Sequence, residues 1–246
     1  MTATRLVHYL RPLPTPENSI QLEFLIWAPV LLFSVVAHEY AHAEAAFRQG
    51  DKTAYLRGRL TLNPLKHIDP LMTIIFPALL WFSHAGFLFG AAKPVPVDPR
   101  NYRNYRRGDI IVSLAGISAN LGLVVACVVL FAIVGIVGSL SPSLSGTSDI
   151  IQRMLWYGVS LNLVLAFFNL LPIPPLDGSH VLLHLLPPRA GLRFQRLYFL
   201  GFLPVLLLVW LLPGAVDVLL WPAFALKNVA WHVVGDYAIS REAFRQ

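Results

Sequence analysis

The sequence predicts an all-α polytopic membrane protein with about four to six transmembrane helices. A re-entrant segment and short β elements are expected near the cytoplasmic side. Three observations carry this. First, charged residues make up 13% of the 246 residues against 56% hydrophobic ones, and mean hydropathy is +0.62. That charge is about half of what a soluble domain carries. Second, no charge lies between Asp69 and Lys93, Asp109 and Asp149, Arg153 and Asp177, or Arg196 and Asp217. Each gap accommodates about 20 apolar residues, the span of a roughly 30 Å hydrocarbon layer. Third, the basic residues gather in three short connecting segments, as orientation in a bilayer requires. A soluble enzyme and a disordered or collagen-like chain are excluded. The net charge of +6 belongs to those connections, and no nucleic-acid-binding motif accompanies it, so no nucleic-acid partner is expected.

A single membrane-embedded domain is expected over residues 1–246, with a catalytic core at about 22–186 and a C-terminal membrane segment and tail at 197–246. The Pro-rich start lacks a signal-peptide core, so the first span, about 22–47, is read as an uncleaved signal. That span is unusual in holding Glu39 and Glu44. A basic loop with Arg48, Lys52, Arg57, Arg59 and Lys66 follows, and Asn63-Pro64 within it reads as turn chemistry. His67 is read as a surface histidine. The apolar stretch 71–92 has basic residues on both flanks and is too short for two spans. It is read as re-entrant, the alternative being one ordinary span. Spans follow at about 110–137 and 151–171, joined by a loop, 139–148, without Lys or Arg. The stretch 198–226 is apolar but broken by Pro213-Gly214, as one kinked span or two short segments. Residues 227–246, with Trp231 and Tyr237, read as an interfacial segment with aromatic anchors. Cys127 stands alone and cannot form an intramolecular disulfide.

Within the first span stands His38-Glu39-Tyr40-Ala41-His42. Histidines at i and i+4 share one helix face and reach one metal ion, and the intervening glutamate reaches a metal-bound water. From the chain's own composition the pattern arises by chance on the order of once in two hundred such sequences. Ionisable groups inside a membrane helix cost about 3 kcal/mol each, so they mark function. The bland reading, a pair of polar contacts between helices, explains no particular spacing.

A tetrahedral catalytic site needs a third protein ligand. Asp177 follows Asn169-Leu-Leu-Pro-Ile-Pro-Pro-Leu, where prolines stop the helix, and precedes Gly178. That puts a carboxylate on unwound chain at membrane depth. His180 and His184 form another i, i+4 pair with no companion Glu and are the weaker candidates. The charge rule brings His38, His42 and Asp177 alike to the cytoplasmic half.

These two motifs together resemble the site-2 protease family of intramembrane zinc metalloproteases, and most of all its small prokaryotic members without a PDZ domain. Asn63-Pro-Leu-Lys-His-Ile-Asp-Pro70, Ala92-Lys-Pro-Val-Pro-Val-Asp-Pro99 and Asn162 echo the same pattern, and the likeness covers roughly residues 30–186. The resemblance implies one zinc ion per chain held by His38, His42 and Asp177, with Glu39 as general base. It also implies that Asn162 lies near the site, either orienting substrate and oxyanion or making an interhelical hydrogen bond. A prokaryotic inner membrane is the implied location, and the transmembrane helix of a membrane-protein substrate and the bilayer are the implied partners. The oligomeric state is left unassigned. Many members carry Ala-Gly-Pro ahead of Asn where this chain reads Ala115-Gly-Ile-Ser-Ala-Asn120, which puts a local helix start in question.

The expected reaction is hydrolysis of a peptide bond in or beside a substrate's transmembrane helix. Residues 56–62 and 86–97 either supply a strand edge for an unwound substrate or are plain connections. Rival readings are a metal-binding transporter using the same residues, a catalytically inactive scaffold and a di-iron enzyme. The first lacks inverted repeats, the second leaves Glu39 unexplained, and the third needs further His clusters.

Overall fold

The computed structural model describes residues 20–82, 93–212 and 214–244. Helix α1 (Ile20–Gln49) is followed by the short α2 (Thr53–Leu56), then by a π-helical turn, Pro70–Ile75, that leads into α3 (Phe76–Phe82). Two long helices, α4 (Tyr105–Leu140) and α5 (Ser145–Asn169), form a hairpin. Five shorter ones complete the chain: α6 (Asp177–Leu185), α7 (Pro188–Gln195), α8 (Leu203–Leu211), α9 (Ala215–Leu219) and α10 (Trp221–Val234). At 1.5 Å per residue, α1, α4 and α5 each exceed a roughly 30 Å hydrocarbon layer. These three are long and apolar enough to cross a membrane, as in an integral membrane protein, and the described residues are all-α.

Of the four to six expected spans, the described residues therefore contain three. The C-terminal apolar stretch adds no fourth helix of that length because it breaks into pieces of nine, five and fourteen residues. Gly214, at a φ of +98°, turns the chain after α8, and Pro222 can only open a new helix at its first turn. Residues 115–120 lie mid-way along α4, so no helix starts there and the Ala-Gly-Ile-Ser variant disturbs nothing local.

The apolar core lies between the α4–α5 hairpin and the C-terminal helices. Phe131, Trp156, Val159 and Leu163 pack against Ala223, Ala230, Val234 and Phe244. Trp231, from the segment expected at the interface, is partly buried against this core. The buried Gln152 amide donates to the carbonyls of Phe131 and Tyr237 and accepts the Ile239 N–H, tying the tail to the hairpin. At the same end of the hairpin, buried Glu23 accepts from Arg153 at 3.1 Å and from the Tyr157 hydroxyl at 2.6 Å, joining α1 to α5.

The connections after α1 and before α4 form one polar layer. Asn63 Oδ1 accepts the Leu65 N–H, the turn expected there, and Glu44 pairs with Arg48 along α1. His67 is fully buried, unlike the surface histidine expected, with its Nε2 on the Thr61 carbonyl. Its own carbonyl accepts the Lys93 N–H at 2.8 Å, so the stretch between them begins and ends at one point. Residues 83–92 lie outside the described residues, and with them most of the expected 86–97 edge. No strand forms among the described residues. The extended run after Lys93 cannot pair along its length, because Pro94 and Pro96 have no N–H to donate. Residues 56–62 turn at Gly58 rather than run straight, and the Arg59 guanidinium caps the Lys93 carbonyl at 2.7 Å.

Asp51 organises this layer. Fully buried, its carboxylate accepts the N–H and hydroxyl of Thr53, the Asn101 amide and the Asp98 N–H. Burial alone raises its pKa, but these donors outweigh burial and hold the carboxyl below the ordinary aspartate range. A depressed pKa contributes stability above the ordinary value and withdraws it as pH falls through the depressed one. Replacing Asp51 by Ala should cost about 2–4 kcal/mol of local stability by stranding its donors. Limited proteolysis in micelles should cut 50–69 and 98–104 faster in the variant, and wild-type protection should fade below about pH 4.

Candidate metal centre

His38 and His42 stand one turn apart on α1, and Asp177 opens α6 after the unwound run 170–176. Proline at 172, 174 and 175 keeps that run from continuing α5. The chain doubles back so tightly that a Cβ on Gly178 would sit 2.0 Å from the Leu170 carbonyl oxygen. The result brings together the three residues singled out from the sequence. His38 Nε2 and His42 Nε2 are 3.0 Å apart, and each lies 3.2 Å from Asp177 Oδ2.

The hydrogen bonds on the far side of each ring decide what those atoms carry. His38 Nδ1 meets Asn120 Oδ1 at 2.6 Å and His42 Nδ1 meets the Val112 carbonyl at 2.7 Å. Both partners are acceptors, since Asn120 uses its amide nitrogen elsewhere, so each Nδ1 carries the proton and each Nε2 presents a lone pair. Asp177 Oδ2 is buried and without a hydrogen bond. Three lone pairs thus converge within a triangle of 3.0–3.2 Å edges, which repels unless a cation or protons lie among them. Metal–ligand distances of about 2.0–2.1 Å in a tetrahedron put neighbouring ligand atoms about 3.3–3.4 Å apart. The triangle matches three such corners, and the donors, two imidazoles and a carboxylate, suit zinc.

The supporting network reaches across three helices. Asn120 Nδ2 donates to Asn162 Oδ1 at 2.7 Å, and Asn162 Nδ2 donates to Ser34 Oγ and the Gly158 carbonyl. Asn162 is 2% exposed with its oxygen and nitrogen both engaged, two hydrogen bonds from the His38 ring. Asn120 was missed as a site residue; the one available signal was an amide in an otherwise apolar span. Gly116 was missed too. A Cβ there would lie 2.5 Å from both His38 Cε1 and His42 Nε2, so α4 passes directly beneath the rings. Glu39 is half-buried and accepts the Val95 N–H at Oε2, 2.7 Å away.

His180 and His184 turn away from this centre. Both face buried Asp109 on α4, at 3.3 Å and 2.7 Å respectively, which fastens α6 and the carboxylate at its head to α4. Gly116→Ala should displace the metal-facing rings and weaken zinc retention against a chelator by about 10–100-fold. Gly122→Ala, where an added Cβ meets nothing within 4 Å, should retain zinc like the wild type.

The profile of peptidase family M50 matches residues 26–209. The chain is 38% identical over 192 residues to the Bacillus subtilis protein named "Putative zinc metalloprotease YwhC", covering 78% of this chain and 82% of that one. It is 33% identical over 183 residues to "Putative zinc metalloprotease Rip2" of Mycolicibacterium smegmatis, covering 72% of this chain and 64% of the relative. The Mycobacterium tuberculosis H37Rv protein of the same name is 35% identical over 190 residues, 74% of this chain and 66% of that one. The chain thus spans about two thirds of the Rip2 proteins. No solved structure matches it. Both motif segments, residues 38–42 and 169–178, lie inside the matched region, and the chain belongs to peptidase family M50, the site-2 protease family.

Proposed function

We propose that this chain is an intramembrane zinc endopeptidase, hydrolysing peptide bonds in or next to the transmembrane helices of membrane-protein substrates in regulated intramembrane proteolysis. The observation that carries this is the convergence of three unshared lone pairs from two separate helices, beside a half-buried glutamate. One zinc ion per chain is held by His38, His42 and Asp177. When bound, zinc polarises the scissile carbonyl and brings the pKa of water toward 7.

The chain's own residues do the rest. Glu39 takes the nucleophilic water's proton on its carboxylate and returns it to the leaving amine nitrogen. Asn120 and the Val112 carbonyl hold the two imidazoles by their Nδ1 protons, so both rings keep one tautomer and one orientation. Asn162 acts through Asn120 rather than on the oxyanion, because both ends of its amide are engaged within the protein.

The bilayer of a prokaryotic inner membrane is the solvent, and the reactive residues lie toward its cytoplasmic half. Asp177 follows a span that leaves a loop devoid of Lys and Arg, while α1 ends at the basic segment beginning with Arg48. The stretch between His67 and Lys93 enters and leaves on one side, and the hydrogen bond joining those residues supports that re-entrant course. A helical substrate hides its amides, so cleavage follows local unwinding. Purified Glu39→Gln should keep near-stoichiometric zinc and lose at least 99% of cleavage of transmembrane-helix peptides in micelles. Retained cleavage in that variant overturns the reading.

A further inference from the structure

Residues 93–97 read Lys-Pro-Val-Pro-Val and run, without regular secondary structure, beside the helix that bears His38, Glu39 and His42. Nothing in the chemistry assigned so far requires them. Yet the Val95 N–H donates to Glu39 Oε2 at 2.7 Å, across 56 residues of sequence. We propose that the Val95 backbone amide is a positioning group for the reaction: it pins one carboxylate oxygen of Glu39 and leaves the other, Oε1, for the water. The inference rests on the peptidase reading given above, and it concerns how the base is held.

The segment is fastened on both sides of Val95. Upstream, the Lys93 N–H donates to the His67 carbonyl and the Lys93 carbonyl accepts from Arg59. Downstream, the Asp98 N–H donates to buried Asp51 at 2.7 Å. The Val95 side chain is buried among Ala43, Ala54 and Leu60, and Ala43 directly follows His42 on α1. The donor and the helix bearing its acceptor are therefore packed as one unit.

The two flanking prolines make this donor singular. Pro94 and Pro96 fix their own φ and have no N–H, so Val95 offers the single amide hydrogen between Lys93 and Val97. No neighbouring amide competes for Glu39, and the stiff backbone loses little entropy in presenting it. A glutamate left unpinned samples several rotamers, and most of them aim its oxygens away from the water. An ionised acceptor makes the bond strong. Val95 is thereby removed from any strand edge offered to substrate, because its amide already faces inward.

Two measurements on the full chain in micelles test the proposal. In hydrogen exchange read by mass spectrometry, peptides spanning 94–96 report the Val95 amide alone within that tripeptide. Glu39→Ala should speed its exchange at least tenfold; an unchanged rate overturns the contact, whatever the chain's activity. In kinetics on fluorophore-labelled casein, whose extended amides need no unwinding, V95P and an amide-to-ester replacement at Val95 both delete the donor. Both should keep zinc and lower kcat about 10–100-fold, with KM within about twofold. An unchanged or raised kcat in the ester, or a loss confined to KM or to zinc content, overturns it. Failure of the wild type to cleave either casein or helical peptides counts instead against the peptidase reading, and the exchange rate still decides the contact.

Discussion

Three lone pairs held about 3 Å apart, in surroundings poor in water, are a demand for positive charge. His38, His42 and Asp177 create that demand, and much of the rest of the molecule keeps it from relaxing. Left alone, two imidazoles and a carboxylate drift apart or pick up protons and pair with each other. Here each ring is held from behind by an acceptor that takes its Nδ1 proton, so neither imidazole can rotate its lone pair away. The carboxylate is held by its place at the head of α6, which Asp109 fastens to α4 through His180 and His184. Helix α4 thus bears on all three residues.

Close approach is the second requirement. The rings lie on α4 only because residue 116 has no side chain, and α6 begins only because residue 178 can pass against the Leu170 carbonyl. Polar groups follow the same economy of space. Asn120, Asn162 and Ser34 satisfy one another across α4, α5 and α1, so three helices are bound together at the depth of the centre without a net charge. In hydrocarbon an unpaired amide is costly, and this linkage leaves none of its donors stranded.

The parts of the centre that are local in sequence were legible. Histidines at helical spacing with a glutamate between them specify a face, and a proline-rich exit followed by Asp177-Gly178 specifies unwound chain. What could not be read comes from distant residues. Asn120 reaches His38 across 82 positions, and Glu23 reaches Arg153 across 130. His67 looked like a surface residue because its burial depends on neighbours brought together by folding. The expected strand pairing fails among the described residues because the prolines that suggested an edge also remove the donors that pairing needs. Hydropathy counts apolar residues and does not see Gly214 and Pro222 dividing the C-terminal ones into short helices, so of the expected spans three stand as long single helices among the described residues.

The hydrogen bond between the His67 carbonyl and the Lys93 amide has a bearing on how such a protein diversifies. It staples together the two ends of the stretch 68–92, and the described part of that stretch, residues 68–82, supplies no ligand to the metal centre. The closure entropy of such an excursion grows only logarithmically with its length. A change in its length therefore costs little in closure and leaves the stapled ends, beside the helix that bears His38, Glu39 and His42, where they are. Length variation between these two points is thus tolerated by the frame that holds the centre.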